Sequence, residues 1–198
     1  MDTIGMAPFI DFALTPATGN VAIAAAIKAG GYPTDRYADL GATIAEMHRD
    51  GRGPAALDSW LSAQPTTDKR RLGAILTAYK RFCRAHELKW FEPPMRDLPL
   101  GHGVAVLVAP ELGVLVGGRP HVIKLYFRSD PITPSRLALT TTLMHIAFSE
   151  TWPGTVCAVL DVRRAKLLPY APTASIHKST YLALKGAAAS FAEIVRAL

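Results

Sequence analysis

The chain has 198 residues, two cysteines and a formal net charge of +6, from 22 lysines and arginines against 16 acidic residues. With 49% hydrophobic residues it can bury a core, which excludes a disordered chain, and two cysteines are too few for a disulfide framework. No stretch reaches the roughly 18 continuous apolar residues of a membrane span, and the N-terminus lacks the basic region of a secretory signal, so we expect a cytoplasmic protein. The mild positive charge allows a nucleic-acid partner but does not require one.

The first half of the chain is predicted to be mainly helical, with helices over residues 21–29, 35–49, 55–61 and 68–86. Thr34 and Thr67 are the expected N-caps of the second and fourth helices. Apolar residues recur at three- and four-residue spacing in these two helices, which is typical of amphipathic helices that face a core. In chain order, these residues are Tyr37, Leu40, Ile44, Met47, Leu72, Ile75, Leu76, Tyr79, Phe82 and Cys83.

The fourth predicted helix is also strongly basic. Residues 68–89 hold seven lysines and arginines against two acids, and a second, short basic run follows at residues 163–166. Such surfaces attract phosphate, but the outer face of any solvated helix or turn carries charges of this kind as well. If the protein binds nucleic acid, the candidate contacts are Arg70, Lys80, Arg81, Arg84, Arg163, Arg164 and Lys166.

The second half of the chain has the pattern of a sheet with two helices. The prolines between residues 89 and 99 predict an irregular segment, and Gly117-Gly118 predicts a hairpin turn between apolar runs. Ser135 is the expected N-cap of a buried helix. The predicted strands cover 104–108, 112–116, 122–127, 155–162 and 166–170, the first three as a meander and the last as an edge strand, and the predicted helices cover 135–148 and 179–198.

These elements predict a mixed α/β fold. The order of helices, strands, a helix, strands and a helix suggests a crossover connection within a small mixed sheet, with helices on both faces. We expect a single domain over 1–198, mainly helical over 1–89, with a sheet of about four or five strands and the C-terminal helix over 90–198.

A pair of residues at the predicted hairpin suggests chemistry. Pro110-Glu111 begins the first hairpin strand, and Lys124 lies on the second strand, two positions after Val122. This arrangement resembles the PD-(D/E)XK nuclease-like superfamily, in which a proline–acid pair and an acid-x-lysine motif lie on the two strands of a hairpin. An acid on an upstream helix often joins them. The resemblance covers about residues 35–168 and implies a restriction-endonuclease-like core.

By position, the resemblance gives Glu111 the role of the first acid, Lys124 that of the lysine and Glu46 that of the helical acid. In an active member, two carboxylates hold Mg²⁺, which activates water, and the lysine stabilises charge on the phosphate. Here Val122 stands at the position of the second acid, and valine cannot bind a metal. An intact site would need an acid relocated from a neighbouring element, for which the candidates are Asp161 and Glu150.

Three hypotheses follow and stay open at this point. The first is a degenerate nuclease-like domain that binds a macromolecule, with nucleic acid as the candidate, without cleavage and without a cofactor. The second is a metal-dependent nuclease with a relocated acid, which requires Mg²⁺. The third is a protein-interaction or regulatory module, in which the apolar helices over 21–29 and 179–198 pack on a protein partner or on a second copy of the chain. No CxxC, HExxH or phosphate-binding glycine loop is present, and nothing local supports a Cys–His nucleophile pair.

Overall fold

The structure, a computed structural model, describes residues 2–33, 36–170 and 174–198. Within these ranges the chain forms the helices α1 Met6–Leu14, α2 Ala17–Lys28, α3 Ala38–Arg49, α4 Ala56–Ser62, α5 Thr66–Ala85, α6 Pro134–Phe148 and α7 Ala174–Ala197. It also forms the strands β1 Asp2–Gly5, β2 Leu88–Phe91, β3 Arg96–Gly101, β4 Val104–Val108, β5 Leu112–Val116, β6 Arg119–Tyr126, β7 Val156–Asp161 and β8 Lys166–Pro169. The predicted mixed α/β class, with a helical N-terminal part and mixed sheets flanked by helices, is confirmed.

The larger sheet has the strand order β2-β5-β6-β7-β8. Its β5–β6 hairpin is confirmed, and both turn residues, Gly117 and Gly118, have the positive φ angles, 56° and 81°, that a tight two-residue turn requires. β6 and β7 pair in parallel, and α6 connects them, so the predicted crossover is confirmed as well. The crossover places the start of α6 beside the end of the hairpin.

The predicted meander is wrong at its first strand. β4 belongs to a separate three-stranded sheet of order β1-β4-β3 and does not pair with β5. The N-terminal strand β1 pairs in parallel with one edge of β4, and β3 pairs antiparallel with the other edge. Since both edges of β4 are occupied, the chain passes through Ala109, Pro110 and Glu111 into the larger sheet before it pairs again.

The prediction of an irregular segment around the prolines is confirmed only for residues 92–95, which include Pro93 and Pro94, and is wrong on either side of them. β2 covers Leu88–Phe91, and β3 contains Pro99. β3 is an edge strand that pairs only with β4. Pro99 can be accommodated there, because a strand at the edge does not need backbone N–H donors for partners on both sides. The register of β3 against β4 shifts between Pro99 and Gly101.

The helix starts differ from the predicted caps. α5 begins at Thr66 after Pro65, so Thr67 lies inside the first turn and does not cap the helix. The cap of α6 is Thr133, whose hydroxyl accepts from the backbone N–H of Arg136 at 3.2 Å, and not Ser135. The fixed φ of Pro134 favours the first helical position, which shifts the cap two residues upstream. The predicted cap Thr34 lies outside the described residues.

Helices cover both faces of the larger sheet, as predicted, and an apolar core lies on each face. One core joins α3, α4 and α5 to the sheet residues Leu112, Ile123 and Leu160. The predicted apolar residues of α3 and α5 lie in this core, with Cys83 packed at its margin. The other core joins α1, α2, α6, α7 and the smaller sheet to Val122 and Cys157. Alternate residues of β6 therefore face different cores.

The apolar faces of α2 and α7 pack against other parts of the chain. Ala24 of α2 and Leu184, Ala188 and Phe191 of α7 are buried in the same core. Four apolar side chains on these helices or near the C-terminus remain exposed, namely Val21, Ile176, Leu182 and Leu198. No helix in the described part of the chain is both long enough and apolar enough to cross a bilayer.

Candidate functional site

The hairpin brings Glu111 and Lys124 together, as the resemblance implies. The register pairs Leu112 with Ile123, which places Glu111 opposite Lys124 one step beyond the ladder. The Lys124 ammonium donates to Oε1 of Glu111 in an ion pair, and the backbone N–H of Leu125 donates to Oε2 at 2.8 Å. Both carboxylate oxygens are therefore engaged, and the charge of the lysine is balanced.

The position of the missing acid is filled by core packing. Val122 has no exposed surface and lies in the core that contains α1, α6 and α7. A carboxylate at this position would lose its hydration without gaining a charged partner. The geometry of the hairpin thus explains why an apolar residue stands there.

Glu46 does not join Glu111. The residue of α3 that approaches Glu111 is Gly41, where an added Cβ would lie 3.7 Å from Cγ of Glu111. Glu46 follows five positions later, about 140° around the helix at 3.6 residues per turn, and it is exposed. The helical acid of the resemblance therefore points away from the hairpin.

The two candidates for a relocated acid are placed elsewhere. Asp161, at the end of β7, is 2% exposed, and its carboxylate accepts from the backbone and the guanidinium of Arg164. Glu150 is exposed after the end of α6. Within the described ranges, no group of three histidine, cysteine or acidic side chains could hold a metal ion.

Three of the predicted basic residues share one line on α5. Arg70, Arg81 and Arg84 are exposed, and at 3.6 residues per turn they fall within about 60° of one another. None of them forms an ion pair with a described residue. We call this line the arginine face. Lys80 does not belong to it, because its ammonium pairs with Asp58 of α4.

The short basic run after β7 is divided between different neighbours. Arg163 turns inward and donates from Nε to the carbonyl of Phe127 at 2.6 Å and from Nη2 to the hydroxyl of Tyr37 at 3.0 Å. Arg164 binds Asp161 and the carbonyl of Ser129, while its own carbonyl accepts from Arg81 at 3.1 Å. Lys166 is exposed on β8. Arg163 and Arg164 thus support the fold around them.

A polar centre that the sequence did not suggest lies on α1. The Asp11 carboxylate accepts hydrogen bonds from the hydroxyl of Tyr32 at 2.5 Å, from Nη2 of Arg128 at 2.6 Å and from Nη2 of Arg136 at 2.5 Å. These partners come from three separate segments of the chain. Asp11 is the only charged residue in α1, and this lone acid in an apolar helix was the available signal.

The charges around Asp11 keep it ionised. Burial alone raises the pKa of Asp11, but the hydrogen bonds from Tyr32 and Arg136 and the charges of both arginines outweigh it, so its pKa lies below the ordinary value. Burial and the neighbouring carboxylate raise the pKa of Tyr32 to about 12. The tyrosine therefore stays a hydrogen-bond donor, and the centre carries one net positive charge.

The buried titratable groups do not form a nucleophilic pair. Burial raises the pKa of Cys83 to about 11 and that of Cys157 to about 12, so both thiols are protonated at neutral pH and are poor nucleophiles. His48 Nε2 and the hydroxyl of the buried Tyr79 share a hydrogen bond of 2.5 Å. Burial lowers the pKa of His48 to about 4, which makes this contact a neutral structural link between α3 and α5.

We predict that His48 makes the fold acid-sensitive between pH 6.5 and 4. The pKa of His48 is about 4 in the folded chain, against 6.5 for a free imidazole. The unfolded chain therefore takes up a proton first, and stability falls as the pH drops through this window; below it, both states are protonated and the loss ends. For this partly buried group we expect a loss on the order of 2 kcal/mol.

The measurement is urea unfolding between pH 7 and 4 for the wild type, His48→Gln and His102→Asn. His102 is exposed in a tight turn with φ of 56°, a conformation that asparagine tolerates. His48→Gln should flatten the pH dependence and His102→Asn should preserve it. Equal slopes for the wild type and His48→Gln would contradict the assignment.

The chain matches no protein-family model and no curated protein. The likeness of the Glu111–Lys124 hairpin to the PD-(D/E)XK superfamily therefore stays a prediction.

Proposed function

We propose that the protein is a non-cleaving domain that binds nucleic acid through the arginine face of α5. The observation that carries the proposal is the alignment of Arg70, Arg81 and Arg84, which are exposed and form no ion pair with described residues. At a rise of 1.5 Å per residue the line from Arg70 to Arg84 is about 21 Å long. This length corresponds to about six base steps along one strand of a duplex.

Contacts of this kind are made to the phosphate backbone. An arginine donates to phosphate oxygens in a planar, bidentate geometry, and three such contacts carry no base sequence. We therefore expect binding that is independent of sequence and strongly dependent on salt.

The hairpin favours binding over cleavage. Both oxygens of Glu111 are engaged by Lys124 and Leu125, and Val122 is fully buried at the place of the second acid. A single carboxylate that is already paired is a poor site for Mg²⁺, which takes several oxygen ligands in octahedral geometry. This supports a binding role without a metal cofactor.

The test is fluorescence anisotropy with labelled duplex and single-stranded DNA and RNA of mixed sequence. Three phosphate contacts predict that the affinity of the wild type for duplex DNA falls roughly 40-fold between 50 and 200 mM salt. The triple variant R70E/R81E/R84E should lose at least about tenfold in affinity at low salt. The matched control is R119E/K178E/K185E, which changes the net charge equally at exposed positions on β6 and α7.

Two results would overturn the proposal. The first is no binding of the wild type at the lower salt concentration, and the second is an equal loss of affinity in both triple variants. Incubation of the same substrates with Mg²⁺ or Mn²⁺, followed by a measurement of cleavage, tests the nuclease alternative. Cleavage by the wild type that disappears in Glu111→Ala would establish a nuclease instead.

A further inference from the structure

A cleft of about 600 Å³ opens beside Asp11. Its described lining comes mainly from α1, from Tyr32, Pro33, Arg36 and Tyr37, from the end of β6 and from the segment that leads from Arg128 into α6. This volume lies in the range of small-molecule sites, which is roughly 300–1,000 Å³. The cleft does not include any residue of the arginine face, so its role is independent of the function proposed above.

The charges that line the cleft are mostly positive. Among the described lining residues, Asp11 is the only carboxylate, against the four cations Arg36, Lys124, Arg128 and Arg136. Lys124 is balanced by Glu111, which does not line the cleft, and Asp11 balances one arginine. Among the described residues about two positive charges therefore remain, which favours an anionic ligand.

Arg128 and Arg136, which both bind Asp11, have further N–H donors that form no hydrogen bond to a described residue. Arg128 and Arg136 bind the carboxylate through Nη2 only, and neither Nε nor Nη1 of either side chain has a hydrogen bond to a described residue. The side chain of Arg136 is 16% exposed, and no buried polar atom in the described part of the chain lacks a partner. The free nitrogens of Arg136 are thus accessible to a second anion. Asp11 acts as a positioning residue that holds both guanidinium groups in place.

The rest of the cleft wall is apolar or aromatic. Tyr32, Tyr37 and Tyr126 provide rings, and the aliphatic and other aromatic lining residues include Met6, Pro8, Ile10, Leu125, Phe127 and Ile132. Apart from the tyrosine hydroxyls and Thr140, whose hydroxyl donates to the carbonyl of Arg136 at 2.8 Å, this part of the described wall offers no polar side chain. It fits a compact apolar body.

We infer that this cleft binds a small organic acid with an aromatic or branched apolar body and one anionic head group. The body packs against the tyrosines and the aliphatic wall. The head group accepts hydrogen bonds from Arg136 and Arg128, and Arg36 at the exposed edge adds a further positive charge. A carboxylate and a phosphate share this chemistry, and the test below separates them.

Isothermal titration calorimetry on the full chain tests the inference with four probes. Phenylacetate and phenyl phosphate carry the body and the anionic head, phenylacetamide carries the body alone, and inorganic phosphate carries the charge alone. We expect the two aromatic anions to bind with micromolar to millimolar affinity, at least about tenfold more tightly than the other two probes. The tighter of the two anions identifies the head group.

Three variants locate the site. Arg136→Gln and Arg36→Gln should each weaken the aromatic anions several-fold, and Ile132→Trp should block the space for the body. Arg36 is exposed and forms no ion pair with a described residue, so its substitution tests the site even if Arg136→Gln fails to fold. Arg119→Gln, exposed on the hairpin, is the control.

The inference fails if no aromatic anion binds at about 10 mM. It also fails if phenylacetamide binds as tightly as phenylacetate, or if Arg36→Gln and Ile132→Trp bind like the wild type. Binding of inorganic phosphate alone as tightly as phenyl phosphate would show that no apolar subsite exists, which overturns it too.

Discussion

Replacement of Val122 by aspartate should destabilise the fold by more than about 4 kcal/mol and create no Mg²⁺ site. The substitution restores the second acid of the motif that the hairpin resembles. Val122 is fully buried among apolar side chains, and a carboxylate there would have no cationic partner, because Lys124 already pairs with Glu111. The new carboxyl would stay protonated in the folded chain, so the destabilisation should increase as the pH rises.

Urea unfolding with and without Mg²⁺ measures this effect, and Val122→Ala is the matched control. Alanine removes the same methyl groups without adding a charge, and we expect it to cost about 2 kcal/mol. The difference between the two variants isolates the carboxylate. An aspartate variant as stable as the alanine variant, and stabilised further by Mg²⁺, would show that the hairpin can rebuild a metal site.

The sequence predicts features that depend on residues close together in the chain, and it fails for features that depend on distant segments. The β5–β6 hairpin and the contact between Glu111 and Lys124 depend on a local turn, so a sequence separation of thirteen residues was short enough to predict them. The apolar residues of α3 and α5 also repeat locally. The pairing of β4 depends instead on β1, about a hundred residues away, and no pattern within β4 specifies its neighbours.

The candidate site shows the same difference between local and long-range interactions. Glu46 lies on the predicted helix, but the rotation of α3 against the sheet turns Gly41 toward Glu111, and the sequence contains no direct measure of that rotation. The Asp11 centre draws its partners from Tyr32, Arg128 and Arg136. Such a contact between distant segments is set by tertiary packing, so only the lone acid in α1 could have drawn attention to it.

Asp11→Asn should lower the free energy of unfolding by about 3 kcal/mol at pH 7. The asparagine keeps the size of the side chain but removes the charge that holds Arg128 and Arg136 together. The two guanidinium groups then repel each other, and one carboxylate acceptor is replaced by an NH₂ donor that faces donors. The wild-type carboxylate is 13% exposed, so water compensates only a small part of the loss.

The pH dependence distinguishes the charge from the shape of Asp11. Its pKa is lowered in the folded chain, so its contribution is complete above the ordinary carboxyl pKa and is lost as the pH falls through the lowered folded value. The stability difference between the wild type and Asp11→Asn should therefore shrink at acid pH.

Two comparison variants remove single partners of Asp11. Tyr32→Phe removes one neutral donor and should lower the free energy of unfolding by about 1 kcal/mol. Arg128→Gln, whose side chain is 53% exposed, should lower it by about 1 kcal/mol or less. Urea unfolding at stepped pH measures all three, and a difference for Asp11→Asn that is small at pH 7 or constant with pH would show that packing, not the buried charge, joins α1 to α6.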